Sequence, residues 1–298
     1  MMSTAIGIDL GGTRIKGVVI NTNGDLLDQH YIQIEQDNWK QCILETADLL
    51  SSRYPDNTLI GMSAPGIPAA DNSCIAYMPG RLQGLEGLHW GTEFKRDTWV
   101  ANDAIAALAA EAKFGIAKDV QHAVMITIGT GVGGALLING KIYQGAFQKA
   151  GHAGHISVDH EGEQDITGMP GSLEDAIGNC TIQKRSNGKY DDTRFLLDDV
   201  IKGDQFANQV WQTSVKKLSV AIASITNLLS PEMIILGGGI TEAGGLLFEP
   251  LEKFMSKYEW RAGGRKVNIV KAAFGDLSGA IGAAGFAMMQ QDQSKQKI

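Results

Sequence analysis

Three glycine clusters in this 298-residue chain are placed to close a backbone on phosphate: Asp9-Leu-Gly-Gly-Thr13, Gly129-Thr-Gly-Val-Gly-Gly134 and Gly237-Gly238-Gly239. A turn free of side chains lets N–H groups approach phosphate oxygens and donate to them. Gly11, Gly12 and Thr13 in the first cluster, and Gly129, Thr130 and Gly131 in the second, are therefore candidate polyphosphate contacts. One such turn is weak evidence, since most glycine hairpins are simply tight turns; two of them can act as a clamp. The third cluster comes after the apolar run Met233–Leu236 and precedes a segment read as a helix, the position where helix N-terminal N–H groups hold a nucleotide. Arg14 and Lys16 come just after the first turn and are expected on opposite faces of a strand, so that at most one of them meets a phosphate.

The elements that must carry these turns are set by the spacing of apolar residues. Ala5–Asp9, Ile15–Ile20 and Leu26–Ile34, separated by the glycine turn and by Asn23-Gly24, read as an antiparallel meander. The same pattern returns at Val124–Tyr143, with Ala135–Ile138 and Asn139-Gly140 in the corresponding places. Each lobe thus opens on a glycine-turned hairpin, and the boundary is expected near Gly115–Gln121, giving lobes of residues 1–118 and 119–298. Helical periodicity marks Trp39 to about Ser52, Asp103 to about Phe114, Gln205–Leu229 and a last helix from about Ser278. Thr58–Met62, Met233–Leu236 and Val267–Ala272 read as extended. Strands alternating with helices make the class α/β.

Composition excludes several function classes. The net charge is −7 and no segment concentrates Lys and Arg, so nucleic acid is not an expected partner. Cys42, Cys74 and Cys180 stand far apart with no C-x-x-C pair, against a disulfide framework or a cysteine-built zinc site. The N-terminus has no basic, apolar leader, and the weakly polar run Ala280–Met289 is too short for a bilayer, so a cytoplasmic protein without a membrane partner is expected.

Taken together the motifs resemble the ROK kinases, within the actin, hexokinase and Hsp70-like ATPase fold, over nearly the whole chain. Asp9–Thr13 resembles the family's first phosphate motif, Gly129–Gly134 the second and Leu236–Gly239 the adenosine motif; Ala64-Pro65-Gly66 resembles the sugar-side loop, and Val100-Ala-Asn102-Asp103 the strand end bearing the catalytic aspartate. The resemblance implies two ribonuclease-H-like lobes with a nucleotide cleft between them and the last helix packing back on the first lobe. It also implies ATP and Mg²⁺ as cofactors and a sugar as substrate, phosphorylated on a hydroxyl such as the 6-OH of a hexose or N-acetylhexosamine. A homodimer is an expectation from the family alone. Asp103 takes the role of general base, and Asn102 holds a neighbouring hydroxyl; a cap on the alanine-rich helix is the competing role for Asp103. Asp9 would help hold Mg²⁺ through water, as a hard oxygen ligand suits that ion, with a buried strand-end aspartate satisfied by turn amides as the alternative. Sugar-responsive repressors share the resemblance but carry a basic helix-turn-helix module first, and a strand starting by Thr4 is expected to leave no room for one. A non-catalytic nucleotide- or sugar-binding sensor or scaffold is the remaining alternative.

This chain also departs from the family pattern. Gly151-His152-Ala153-Gly154-His155 resembles the family's Gly-Glu-x-Gly-His, with His152 where a sugar-binding glutamate is expected. An imidazole offers one hydrogen bond where a carboxylate spans two hydroxyls. Tyr77–Leu82 lacks an asparagine common in the family, whereas Glu174 matches its other sugar-binding glutamate. Gly66, Asn102, Asp103, His152, His155 and Glu174 are thus the substrate-site candidates. Relatives carry cysteines after the histidine that bind a structural zinc with it; Thr167–Leu173 has none, so no structural zinc is expected, and His152, His155 and His160 with Asp159 are an alternative metal group. His155 is expected to contact substrate or to order the loop beside Glu174.

Overall fold

The structure, a computed structural model, describes residues 4–35, 38–55, 59–79 and 82–295. Gly80 and Arg81, within the Tyr77–Leu82 stretch, lie outside the described residues, as does Thr58. The chain opens with strands β1 (Thr4–Leu10), β2 (Arg14–Asn21) and β3 (Leu26–Gln33), then helix α1 (Trp39–Arg53) and strand β4 (Leu59–Ser63). A two-stranded ribbon, β5 (Ile67–Pro68) and β6 (Ile75–Tyr77), leads through the short helix α2 (Trp90–Phe94) to β7 (Asp97–Ala101) and α3 (Asp103–Phe114). Next come β8 (Ala123–Ile128), β9 (Val132–Ile138) and β10 (Lys141–Tyr143), the helices α4 (Leu173–Ile177), α5 (Ile182–Arg185), α6 (Thr193–Ile201) and α7 (Gln205–Leu229), and strand β11 (Met233–Gly237). Helix α8 (Gly245–Tyr258), strand β12 (Asn268–Lys271) and helix α9 (Ser278–Lys295) complete the chain.

These elements form two five-stranded mixed sheets, in the orders β3-β2-β1-β4-β7 and β10-β9-β8-β11-β12. The repeated meander therefore occupies the same place in each sheet. The chain divides into two compact units, Met1–Val120 with Leu136–Ala150 and Ala272–Ile298, and Gln121–Ala135 with Gly151–Lys271.

In the first unit the sheet is covered on both faces, because successive residues of a strand point to opposite sides. Ile6, Ile8, Ile60, Met62 and Val100 pack with Ile43 and Leu50 of α1, whereas Ala5, Val18 and Ile20 pack with Ala110 of α3 and Ala280, Ile281 and Ala284 of α9. Alanine fills α3 because helix α9 packs closely along it. The buried Glu111 fastens this pair: its Oε2 accepts from the N–H of Ile116 at 3.1 Å just past the end of α3, and its Oε1 accepts from Ala273 at 2.6 Å ahead of α9. Glu111→Ala should leave those buried donors unpaired and cost about 2–4 kcal/mol, a fall in Tm of roughly 5–10 °C in thermal denaturation. A fall of under about 1 °C would show that water replaces the carboxylate without loss.

In the second unit α7 is the long support. Asp204 caps it, accepting from Ala207 N–H at 2.7 Å. Its buried stripe, including Val210, Trp211, Leu218, Ile222 and Ile225, packs on α4, α6 and α8.

The helix expected directly after Gly237–Gly239 begins later. A 3₁₀ turn, Gly239–Ala243, intervenes, closed by Thr241, whose N–H and hydroxyl both donate to the Gly238 carbonyl at 3.0 and 2.7 Å, and α8 starts only at Gly245. The third glycine cluster therefore does not lead into a helix N-terminus; glycine at 238, with φ +86°, instead lets the chain turn sharply off the strand.

Candidate active site

In the first unit, strand register gathers the acidic candidates. β1, β4 and β7 are parallel, and the pairings Asp9↔Ser63 and Ser63↔Ala101 set Asp9, Ser63 and Ala101 side by side at the carboxyl ends of their strands. In open α/β sheets that is the end at which ligands bind. Asn102 and Asp103 come immediately after. Asn102 is the N-cap of α3, its Oδ1 accepting from Ile105 N–H at 2.7 Å, which leaves its Nδ2 outside the cap. Asp103 is thereby relieved of capping the turn; it is exposed, and its Oδ1 accepts from the adjacent Ala104 N–H at 2.8 Å.

Asp9 is partly buried, and burial pushes its carboxyl above the ordinary range; the Ser63 hydroxyl and Lys16 pull the other way, and the charges of Asp103 and Asp276 add to the rise. Ser63 Oγ is buried without a hydrogen bond of ordinary geometry among the described residues. Gly279, in the first turn of α9, is required here: a Cβ at that position would lie 2.5 Å from Asp9 Cγ.

Arg14 and Lys16 do not divide between two faces as expected. Residues two apart on a strand share a face, and both side chains reach Asp276, Arg14 Nη2 at 2.8 Å from Oδ2 and Lys16 Nζ at 2.7 Å from Oδ1. The two cations hold the Asp276 carboxyl below its usual range, Lys16 foremost through its hydrogen bond. Sequence reasoning missed Asp276, which lies more than 250 residues from its partners and carries no motif of its own.

The first glycine turn is closed by Gly11 N–H donating to the Arg14 carbonyl at 3.1 Å; the N–H groups of Gly12 and Thr13 make no hydrogen bond among the described residues. Beside β7, the loop holding Gly66 is tied down by Ala64 N–H to Ala101 O at 3.0 Å and by Asn72, whose carbonyl accepts from Val100 N–H and whose Nδ2 donates back to Val100 O. Asn72 is another residue that only the fold reveals.

The second unit repeats the turn. Gly129 N–H donates to the Gly131 carbonyl at 2.9 Å, and the N–H groups of Thr130 and Gly131 make no hydrogen bond among the described residues. The turn is braced from behind, its Gly129 and Thr130 carbonyls accepting from Asn179 and Cys180 at 2.9 and 2.8 Å. β11 runs parallel to β8 with Gly237 opposite Thr127, which brings Gly237, Gly238 and Gly239 alongside this turn.

Glu174 lies in the first turn of α4, capped by Ser172, whose hydroxyl accepts from Asp175 N–H at 3.2 Å. Its Oε2 accepts from Val132 N–H at 2.9 Å, so the candidate sugar glutamate also props the phosphate turn. Gly131 has to be glycine for this contact, since a Cβ there would come within 2.3 Å of that oxygen.

His152 and His155 flank the 3₁₀ turn Ala153–His155 with their rings nearly parallel, 6.4 Å between centroids. His160 is 89% exposed, and Asp159 pairs with Lys217 at 3.0 Å, so the four residues are not gathered. Among the described residues no group of three or more His, Cys, Asp or Glu is placed to hold a metal ion, and no helix is long and apolar enough to cross a membrane.

A model of the ROK family matches residues 5–290. A glucokinase of Halalkalibacterium halodurans is 30% identical over 98% of this chain and 97% of its own. The N-acetylglucosamine repressor of Escherichia coli O157:H7 is 26% identical over 96% of this chain but 75% of its own. Among solved structures, a ROK family glucokinase from Streptomyces griseus in complex with glucose and AMPPNP superposes with a TM-score of 0.81 at 24% identity, over 96% of this chain and all of that one; at that identity the likeness concerns the fold.

Proposed function

The chain belongs to the ROK family, and from that premise we propose that it is an ATP-dependent sugar kinase, transferring the γ-phosphoryl group to the 6-OH of a hexose or N-acetylhexosamine. The observation that carries this reading is the placement of Asp103: an exposed carboxylate, released from helix capping by Asn102, at the same sheet end as Asp9. A binding sensor has no chemical need of that arrangement.

In the proposed reaction Asp103 accepts the proton of the attacking hydroxyl as its oxygen bonds to the γ-phosphorus, while the bond to the β-phosphate oxygen breaks and ADP leaves. Asn102 Nδ2 is suited to donate to a neighbouring sugar hydroxyl and so orient the acceptor. Two turns, each within its own unit, offer unbonded N–H groups suited to phosphate: that of Gly12 and Thr13, and that of Thr130 and Gly131, the latter with Gly237–Gly239 alongside it. Positioning and charge neutralisation supply most of the acceleration in phosphoryl transfer, and the base contributes about 10²–10⁴-fold.

The residues around Asp9 fit Mg²⁺. Asp9, Asp103 and Asp276 raise the negative charge locally, and Lys16 is already committed to Asp276. A hard divalent cation held by Asp9 through water would relieve that imbalance and neutralise the phosphates when bound. Glucose and AMPPNP in the Streptomyces griseus enzyme support the substrate and donor classes.

Steady-state ADP release from Mg-ATP over a panel of hexoses and N-acetylhexosamines tests the reading, with at least one sugar stimulating turnover. Because Glu174 props the second turn, Glu174→Ala should raise KM for that sugar and for ATP together, each on the order of tenfold, the worth of one charge-assisted hydrogen bond. A panel in which no sugar stimulates turnover would favour a nucleotide- or sugar-binding sensor, a reading to which the replacement of the family glutamate by His152 already points.

A further inference from the structure

The family resemblance attaches a structural zinc to the histidine of Gly151–His155, but the residues present do not fit one, since Thr167–Leu173 contains no cysteine. The loop from Asp159 to Gly171 is nonetheless ordered. Gly171 N–H donates to Glu163 O at 2.8 Å, Asp165 N–H to Met169 O at 2.9 Å and Val158 N–H to Gly171 O at 2.9 Å, so the loop is a small hairpin folded back on the segment that leaves His155.

Asp165 lies at its turn, with a side chain only 1% exposed. Its Oδ1 accepts from Thr167 N–H at 2.8 Å, Thr167 Oγ1–H at 2.7 Å and Met169 N–H at 3.0 Å, and its Oδ2 lies 2.9 Å from His155 Nδ1. Burial alone would raise the carboxyl's pKa, but the hydrogen bonds from Thr167, His155 and Met169 together outweigh it and hold it well below the ordinary carboxylate range. A carboxylate can only accept, so the proton of a neutral His155 must sit on Nδ1, leaving Nε2 as the ring's acceptor.

We propose that Asp165 is a positioning residue that stands in for the family's metal: it pins the loop to His155 and fixes His155 as the Nδ1–H tautomer, so that Nε2 accepts from a substrate hydroxyl. The pinning and the tautomer need this unit alone; the substrate contact rests on the kinase reading. Carboxylates behind a histidine do the same for metal-ligating rings, where their loss costs about 10–100-fold.

The test is ¹⁵N NMR of the full chain labelled at histidine, with the His155 signals among six assigned by their loss in His155→Gln. The wild-type ring should show the Nδ1–H tautomer. In Asp165→Asn the three loop donors claim the amide oxygen, which turns the amide NH₂ toward His155 Nδ1; the ring must then accept there and move its proton to Nε2. KM for the sugar should rise on the order of tenfold, while binding of an unhydrolysable ATP analogue changes by less than about twofold, within the cost of a remote substitution. Thr167→Val removes one loop donor and keeps the carboxylate, so it should retain the Nδ1–H tautomer, and it serves should Asp165→Asn fail to fold. An Nε2–H ring in the wild type, an unchanged ring in Asp165→Asn, or stoichiometric zinc in the purified protein would overturn the proposal. If the wild type turns over no sugar, the kinase reading fails and the tautomer measurement still decides the role of Asp165.

Discussion

Asp103→Asn should bind ATP and sugar like the wild type, keep its Tm and lose about 10²–10⁴-fold in kcat, the range for removal of a general base. The carboxamide has nearly the carboxylate's shape, and the bond that Asp103 accepts from Ala104 N–H at the helix start can pass to the amide oxygen. Stability is expected to hold because Asn102, not Asp103, caps α3. Equal losses in kcat and kcat/KM in steady-state kinetics would place the missing interaction in the transition state. A drop in Tm with kcat retained would instead make Asp103 a structural residue and move the base elsewhere.

Asp9→Asn should separate function from stability in the opposite sense. The carboxyl of Asp9 is raised above its ordinary value, first by burial. A raised carboxyl binds its proton more tightly in the folded state, so without ligand its ionisation opposes folding, and that cost sets in as pH climbs above about 4 and through the folded value. The amide carries no charge to desolvate. Asp9→Asn should thus melt no lower than the wild type at neutral pH without ligand, while kcat falls on the order of 10²–10³-fold through lost charge neutralisation. It should also lose the extra thermal stabilisation that Mg²⁺ adds to a bound nucleotide. Differential scanning fluorimetry with nucleotide, with and without Mg²⁺, distinguishes the two: undiminished stabilisation by Mg²⁺ would mean that Asp9 does not help to hold the ion.

The parts of this site that the sequence reveals are those whose signal is local. Both glycine turns sit between strands whose alternation and Asn-Gly turns lie within about 20 residues, close enough for a periodicity argument. Each turn appears in the structure closed by a glycine N–H and with a pair of unbonded N–H groups. Helices α3 and α7 also match their expected spans, because an Asn or Asp cap and an unbroken apolar stripe announce them.

The residues that escape detection depend on partners brought close only by the fold. Asp276 meets Arg14 and Lys16 across more than 250 residues, and Glu111 meets Ala273 across 162. Nothing in the residues beside Asp276 or Glu111 marks them. Placing Arg14 and Lys16 on opposite faces is an error of period rather than of information, since a separation of two returns a strand to the same face. Asp165 is intermediate: Asp-x-Thr-Gly is a recognisable side-chain-closed turn, but its bond to His155 needs the loop to fold back. The 3₁₀ turn after Gly239 is hidden for a related reason, because Thr241 closes it with two bonds to the Gly238 carbonyl that compete with an α-helical start.

Transfer of label from [γ-³²P]ATP to a hexose or N-acetylhexosamine, with wild type and Asp103→Asn side by side, measures directly whether this protein phosphorylates a sugar with Asp103 as base. Labelled sugar 6-phosphate is expected from the wild type, and a rate lower by at least about a hundredfold from the variant. A wild-type protein that binds both Mg-ATP and sugar yet moves no label, or a variant that moves it equally fast, would contradict it.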